Sequence, residues 1–161
     1  YNVEFFTNLN ENNFLISSNT LLKNILNSNK KFYHIHPGYL YKVRGADGTL
    51  NSIKYFNEIG SSFYLINKKI DSGKILTRMT YPYRKISFPN YKNFKIQDLY
   101  QIWFSFYDPA VRISLLRDIL KKNIDLNNFL ELDSVSEENN YYSFLKNKDL
   151  NDLFLNRIFK I

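Results

Sequence analysis

The sequence has no cysteine, only two histidines, and few glycines and prolines. Without cysteine, neither a disulfide framework nor a thiolate-coordinated zinc site can form. No apolar run approaches the roughly 18 residues of a membrane span, and no signal peptide is recognisable. These absences favour a reducing compartment without a membrane anchor, so we expect the protein in the cytoplasm.

The chain also lacks a long block of basic residues, although its formal net charge is +7. The basic residues occur as scattered pairs: Lys30-Lys31, Lys68-Lys69 and Lys121-Lys122. A positive balance attracts anions in general, such as a nucleotide-linked substrate, a polyglutamate tail, nucleic acid or an acidic membrane face. Because the charge is dispersed and no second domain is evident, we do not expect nucleic acid to be the partner.

Apolar periodicity predicts an α/β arrangement in the first half of the 161 residues. Residues 14–18 and 31–36 are typical of strands, and the segment between them has a helical pattern on Leu21, Leu22, Ile25 and Leu26. Strand, helix, strand is the βαβ unit, so the two strands should be parallel. Residues 3–6 suggest an edge strand or the remainder of a longer element. A helix capped by Asp47 or Thr49 and ended by Gly60 should follow, with strands at 61–67 and 74–81.

The second half has a different character. Residues 82–93 are polar, aromatic and proline-bearing, which is typical of a surface linker. Helical spacing of apolar residues then predicts helices over 96–107, from Asp108-Pro109 to about residue 120, and from Asp149 to about 158. A short strand is expected at 141–145.

The two histidines occupy the end of the second predicted strand. Side chains alternate along a strand, so His34 and His36 share one face while Ile35 points to the other. Pro37 cannot donate to a sheet and Gly38 permits positive φ, so the strand should end there. The carboxyl ends of strands in open α/β sheets bind ligands, and imidazole suits proton transfer near neutral pH. For an isolated His-x-His, however, two solvated or capping histidines are the better interpretation.

The neighbouring motifs favour the functional interpretation. In chain order they are His34-x-His36-Pro37-Gly38, Arg44-Gly45-Ala46-Asp47, and Gly60-Ser61-Ser62 leading to Ile70-Asp71-Ser72-Gly73. Over residues 32–76 this resembles the formyltransferase family, whose pattern is Asn-x-His-Pro-(Gly/Ser), a loop ending in Arg-Gly, Gly-x-(Thr/Ser)-x-His and Asp-x-Gly. The family groups glycinamide ribonucleotide, methionyl-tRNA and nucleotide-sugar formyltransferases.

The resemblance implies a Rossmann-like formyltransferase fold: a partly parallel sheet flanked by helices, with a mainly helical C-terminal region. Residues 1–84 would form the C-terminal part of the catalytic domain, and residues 85–161 a helical extension packed on it. Family members carry a further βαβ portion before the position of residue 14. We therefore expect that portion to be missing or reduced to residues 1–13.

The resemblance also implies an activity: transfer of a formyl group from 10-formyltetrahydrofolate to an amine through a tetrahedral oxyanion. His36 falls on the family's catalytic histidine and Asp71 on its catalytic aspartate. A protonated His36 would stabilise the oxyanion, and Asp71 would hold it charged while relaying a proton. The implied residues are His34, His36 and Asp71 in catalysis, Tyr64, Ser62 and Ile70 toward folate, and Arg44, Gly38, Tyr39 and Lys42 toward the substrate.

The sequence departs from the family pattern at three places. His34 stands where the family has asparagine, Tyr64 where it has histidine, and Leu40-Tyr41 where Leu-Pro is usual. His34 can donate an imidazole N–H in place of the asparagine amide, with a different reach and a titratable charge. Tyr64 can hydrogen-bond Asp71 but cannot carry a proton near neutral pH.

The preferred substrate is a nucleotide-linked amino sugar of bacterial surface-polysaccharide synthesis, because Tyr107 to Arg112 and the tail from Tyr141 resemble the ends of sugar N-formyltransferases. One alternative is a catalytically impaired, formyltransferase-like binding protein, and another is a methionyl-tRNA formyltransferase-like enzyme. A metal site on His34, His36 and Asp71 ranks last, and no bound metal is expected. The acceptor amine is not fixed, and a homodimer stays open.

Overall fold

A computed structural model describes residues 3–17, 24–122 and 140–161. The strands are β1 (Asn13–Leu15), β2 (Lys31–His36), β3 (Arg44–Gly45), β4 (Glu58–Leu65), β5 (Ile75–Pro82), β6 (Ile86–Ser87), β7 (Tyr141–Tyr142) and β8 (Phe159–Lys160). The helices are α1 (Val3–Thr7), α2 (Gly48–Phe56), α3 (Ile96–Ile102), α4 (Asp108–Lys121) and α5 (Asn147–Asp152). Short 3-10 turns lie at Ile25–Asn27 and Tyr91–Asn93, and π-helical turns at Trp103–Tyr107 and Leu153–Ile158.

A mixed sheet in the order β1-β2-β4-β5 forms the centre of the first half. β1 runs parallel to β2, which confirms the predicted βαβ pairing, whereas β4 is antiparallel to both of its neighbours. Of the helix predicted between β1 and β2, residues 18–23 lie outside the described residues, and Ile25–Asn27 form a 3-10 turn. The predicted α/β class is confirmed.

The N-terminal segment corrects one prediction. Residues 3–7 form the short helix α1 rather than an edge strand. Its Phe6 is buried, and the Phe6 ring meets the rings of Phe14 and Phe32 edge-on at 5.1 Å each. Because one turn of helix suffices to place Phe6 in this aromatic contact, no strand pairing is needed to bury it.

The boundary between α2 and β4 also differs from the prediction. The helix ends at Asn57, which takes the left-handed conformation with φ 54°, and β4 begins at Glu58. Gly60 instead lies inside β4, where an added Cβ would come within 2.9 Å of the Tyr39 backbone nitrogen. Glycine is therefore required at residue 60 for close packing of the loop after β2, and not to end the helix.

The two halves of the chain share buried cores. α4 covers one face of the sheet, where Leu115 and Ile119 pack with Tyr33, Ile35 and Phe63. The C-terminal helices pack on α2 through a cluster that contains Leu50, Ile53, Leu99, Trp103, Leu150, Leu153, Phe154 and Ile158. The predicted linker is partly ordered, since β6 pairs in parallel with β8. The division into residues 1–84 and 85–161 stays a prediction.

The helices of the described ranges are short or amphipathic. None of them is long and apolar enough to cross a membrane.

Candidate active site

His36 and Asp71 meet in the interior, as the family resemblance implied. His36 Nδ1 lies 3.5 Å from Asp71 Oδ1, and the two residues are only 3% and 7% exposed. The other ring nitrogen, Nε2, lies 3.0 Å from the carbonyl oxygen of Val43. Because a carbonyl oxygen only accepts, Nε2 must carry a hydrogen. Both nitrogens of His36 are thus engaged by the protein, and direct contact of His36 with an oxyanion stays a prediction.

Asp71 is held from three sides. Its Oδ1 accepts a hydrogen bond from the Tyr64 hydroxyl at 3.1 Å, and its Oδ2 accepts one from the backbone N–H of Gly45 at 2.9 Å. Tyr64 is buried, and this burial, with the nearby Asp71 carboxylate, raises the pKa of the phenol well above its usual value. Tyr64 is therefore a neutral donor that fixes Asp71 toward His36.

Burial controls the charge of His36. Loss of solvent lowers the pKa of His36, the Asp71 carboxylate opposes that effect, and the neighbouring His34 adds to it. Since Nε2 already donates to Val43, the Nδ1 of a neutral ring carries a lone pair, and its 3.5 Å separation from Asp71 Oδ1 is a close contact rather than a hydrogen bond. Burial thus favours the neutral form of His36.

His34 lies on the same sheet face, opposite Tyr64 on β4, with its ring edge-on to the Tyr64 ring at 5.8 Å. Nδ1 lies 2.8 Å from the carbonyl oxygen of Ile16, so Nδ1 carries the hydrogen and donates it. Nε2 has no hydrogen-bond partner among the described residues. Burial lowers the pKa of His34, which favours the neutral ring. A neutral ring in this tautomer presents a lone pair at Nε2, and the role of His34 in place of the asparagine N–H stays a prediction.

A cavity of about 340 Å³ opens beside His34, between β1, β2 and the start of α4. Its walls are mostly aliphatic, and its charged member is Arg112 of α4. The lining consists of Leu15, Ile16, Ser17, His34, Ile35, Pro109, Arg112, Ile113 and Leu116. Such a cavity suits an apolar group that carries one anionic or polar substituent.

Arg112 is positioned by a buried polar chain that the sequence analysis did not identify. Its Nη2 lies 3.1 Å from Asp108 Oδ2, and Asp108 Oδ1 accepts a hydrogen bond from the Thr49 hydroxyl at 3.0 Å. The Trp103 indole donates to the same hydroxyl at 2.9 Å. Burial raises the pKa of Asp108 even though Arg112 opposes it. The available signal was the four-residue spacing of Asp108 and Arg112, which pairs opposite charges on one helix face.

Two of the predicted ligand contacts support the loop after β2. Ser62 is fully buried, and its hydroxyl donates to the Gly38 carbonyl at 2.7 Å and accepts from the Leu40 N–H at 2.8 Å. Gly38 does not adopt positive φ. An added Cβ there would lie 2.8 Å from His36 Nε2, so glycine allows the loop to pass close over the imidazole. A role for Ser62 toward folate stays a prediction.

The remaining predicted ligand contacts lie on the loop around residues 39–44 or beside Asp71. The Arg44 guanidinium stacks over the Tyr41 ring at 4.1 Å, and the Tyr39 ring carries the Arg78 guanidinium at 4.6 Å. The Lys42 ammonium pairs with Glu58 at 2.7 Å, and Ile70 is 51% exposed. Arg44, Tyr39, Lys42 and Ile70 do not line the cavity beside His34, and their roles toward ligands stay predictions.

Among residues 3–17, 24–122 and 140–161, no group of three histidine, aspartate or glutamate side chains is arranged to hold a metal ion.

No family model and no curated relative matches the sequence. Solved structures match the fold. A sugar N-formyltransferase from a Shewanella species aligns with TM-score 0.51 and 23% identity, over 75% of this chain and 43% of its own. A 4-N formyltransferase from Francisella tularensis aligns with TM-score 0.54 and 21% identity, over 81% of this chain and 48% of its own. HypX from Aquifex aeolicus in complex with tetrahydrofolic acid aligns with TM-score 0.57 and 15% identity, over 85% of this chain and 22% of its own. The chain therefore has the predicted formyltransferase fold and spans less than half the length of these three proteins.

Proposed function

We propose that this chain forms the catalytic part of a formyltransferase that moves the formyl group of 10-formyltetrahydrofolate to the amine of a nucleotide-linked amino sugar. The observation that carries the proposal is the buried contact of His36 with Asp71 beside His34, at the carboxyl end of β2. In a fold shared with formyltransferases, this places proton-transfer groups where open α/β sheets bind ligands.

The compared structures support the choice of substrates. One is named as a sugar N-formyltransferase and one as a 4-N formyltransferase, and the third was solved with tetrahydrofolic acid. The residues of this chain fit a folate ring, since the cavity beside His34 is lined mostly by aliphatic side chains and has one cation, Arg112. Its 340 Å³ is at the small end of ligand pockets, which run from about 300 to 1,000 Å³, so it holds one ring system and not both substrates.

The net charge fits the same substrate class. A formal charge of +7 favours association with a diphosphate-linked sugar and with a polyglutamate tail. Arg112 places one of these charges at the cavity wall itself, fixed by Asp108.

The experiment is a transfer assay with a panel of acceptors. The protein is incubated with 10-formyltetrahydrofolate and several nucleoside diphosphate sugars that carry a free ring amine, with methionyl-tRNA as the competing acceptor. Mass spectrometry should detect a formamido sugar. Asp71→Asn should lower the rate by roughly 10²–10⁴-fold, the usual contribution of a positioned proton-transfer group. Lys69→Gln, an exposed neighbour, should leave the rate unchanged.

One observation favours a second candidate, a catalytically impaired binding protein. His36 is 3% exposed and both of its nitrogens are engaged, so it cannot itself touch a substrate in this conformation. If 10-formyltetrahydrofolate binds but no amine in the panel is formylated, this second candidate replaces the first. A formylated methionyl-tRNA, without any formamido sugar, would instead identify the tRNA-directed activity.

A further inference from the structure

The two histidines present their nitrogens to different surroundings. His36 has Nε2 on the Val43 carbonyl and Nδ1 on Asp71, and it is almost fully buried. His34 has Nδ1 on the Ile16 carbonyl and lines the cavity, with no protein partner for Nε2 among the described residues. Only His34 therefore has an imidazole nitrogen available to a substrate.

We propose that His34, and not His36, accepts the proton of the attacking amine, and that His36 with Asp71 is the positioning unit beneath it. The proposal rests on the proposed function and assigns the roles within that site. It reverses the assignment implied by the family resemblance, in which the residue at position 36 acts on the reacting atoms.

The Ile16 carbonyl determines which nitrogen can act as the base. A hydrogen bond of 2.8 Å to a carbonyl oxygen requires Nδ1–H, and a neutral imidazole carries only one hydrogen. The lone pair must then be at Nε2. An asparagine amide in this position has no comparable basic nitrogen, so histidine adds a proton acceptor that the family pattern lacks.

The charged groups around His34 come from three elements. Burial is the largest influence on the pKa of His34 and lowers it. The hydrogen bond to the Ile16 carbonyl and the Asp71 carboxylate, in the turn after β4, raise this pKa, and Arg112 on α4 lowers it. His36, on the same strand, is electrostatically coupled to His34. Tyr64 on β4 presents a neutral ring edge. The balance keeps His34 unprotonated near neutral pH, which is the state a general base needs.

The proton balance of the reaction closes within this arrangement. The amine nitrogen forms a bond to the formyl carbon, and the carbonyl electrons move to oxygen. His34 Nε2 takes a proton from the amine and becomes an imidazolium beside Arg112. When the oxyanion collapses, the bond between the formyl carbon and the folate nitrogen breaks, and His34 returns the proton to that nitrogen. No oxidant, reductant or further reactant is needed.

Nitrogen NMR tests the geometry without requiring activity. Long-range ¹H–¹⁵N spectra separate the two histidines, because the chain has no others, and His34→Asn assigns the signals by loss. We expect His34 with a protonated Nδ1 and an unprotonated Nε2 at neutral pH. The reverse tautomer, or a His34 that stays doubly protonated at neutral pH, would overturn the proposal.

Kinetics test the role. His34→Asn keeps an amide N–H near the Nδ1 position and so preserves the bond to Ile16, but it removes Nε2. His34→Gln places an amide near Nε2 that can donate but is not a base. Both variants should lose roughly 10²–10⁴-fold in kcat/KM and should lose the acid limb of the pH profile. Thermal unfolding confirms that each variant is folded.

The charge environment gives a third measurement. Asp108→Asn with Arg112→Gln removes both charges of the pair, so no buried charge is left unpartnered. Without Arg112, the pKa of His34 should rise, and the midpoint of the acid limb should move to higher pH. Arg117→Gln on the same helix, where Arg117 is 61% exposed, is the control and should leave that midpoint in place.

The outcomes separate the two claims. If the wild type formylates no amine, the proposed function and the role of His34 both fail. If the wild type is active and His34→Asn keeps its rate and its acid limb, only the role of His34 is overturned. If His36→Gln loses the acid limb of the pH profile while His34→Asn keeps it, the general base is His36.

Discussion

Thr49→Val tests the buried polar chain that positions Arg112. Thr49 is 1% exposed, and its hydroxyl accepts from the Trp103 indole and donates to Asp108. Valine has nearly the same shape, so the change removes the hydroxyl without opening a large cavity. Within the described part of the chain, Trp103 Nε1–H is then left buried without an acceptor, and Asp108 keeps Arg112 as its side-chain partner.

The expected cost follows from the two lost hydrogen bonds. A buried donor without a partner costs about 1–3 kcal/mol, and a hydrogen bond to a charged group is worth about 1.5–3 kcal/mol. Because the two share one hydroxyl and are not additive, we expect the free energy of unfolding to fall by about 2–4 kcal/mol. For a chain of this size, each kcal/mol lowers Tm by about 2–4 °C, so Tm should fall by roughly 4–16 °C.

Urea denaturation followed by fluorescence measures this directly, since Trp103 is the single tryptophan of the chain. Thr49→Ser is the matched control, because it keeps the hydroxyl and removes one methyl group, at a cost of about 1 kcal/mol. If Thr49→Val costs no more than Thr49→Ser, the chain from Trp103 through Thr49 to Asp108 does not stabilise the fold, and the argument for a fixed Arg112 is refuted.

Three further predictions concern the site. Burial lowers the pKa values of His34 and His36 below the ordinary 6.5. Because the unfolded chain then binds protons at a higher pH than the folded one, the free energy of unfolding should be greatest above about pH 7 and should decline as the pH falls below 6.5. Tm measured from pH 8 to 5 checks this, and Tm should decline less in His34→Asn than in the wild type. Equal declines would contradict the attribution to His34. Gly38→Ala places a Cβ 2.8 Å from His36 Nε2 and should cost about 1–3 kcal/mol of unfolding free energy, whereas a cost below about 0.5 kcal/mol would mean that the loop moves freely away from the ring. Saturation with 10-formyltetrahydrofolate at 100 times its Kd should stabilise the protein by about 2.7 kcal/mol in a thermal-shift assay, and the absence of any shift at millimolar ligand would speak against folate binding.

Local patterns in the sequence predicted the parts of the structure that depend on neighbours along the chain. The parallel pairing of β1 with β2 follows from strand and helix periodicity. The contacts of Asp71 with His36 and Tyr64 join residues that are distant along the chain, and they were expected from the resemblance to the formyltransferase family. These features needed no knowledge of how the C-terminal half packs.

Features set by distant contacts could not be predicted in this way. Asp47 and Asp108 have residue types typical of helix caps, but Asp47 makes no side-chain capping bond, and α4 has Tyr107 rather than Asp108 at its N-cap. Asp47 accepts instead from the Tyr100 hydroxyl, 53 positions away, and Asp108 from Thr49, 59 positions away. Such partners are fixed only once the C-terminal helices pack on α2, and the same packing brings Arg112 to the cavity beside His34.

The most direct measurement of the central claim follows the formyl carbon itself. 10-Formyltetrahydrofolate labelled with ¹³C at the formyl group is mixed with the protein and the amino-sugar acceptor, and ¹³C NMR records where the label goes. The account predicts a ¹³C formamide resonance on the sugar nitrogen that grows with the wild type and is suppressed in His34→Asn. A label that remains on folate with the wild type, or appears only as free formate, would contradict it.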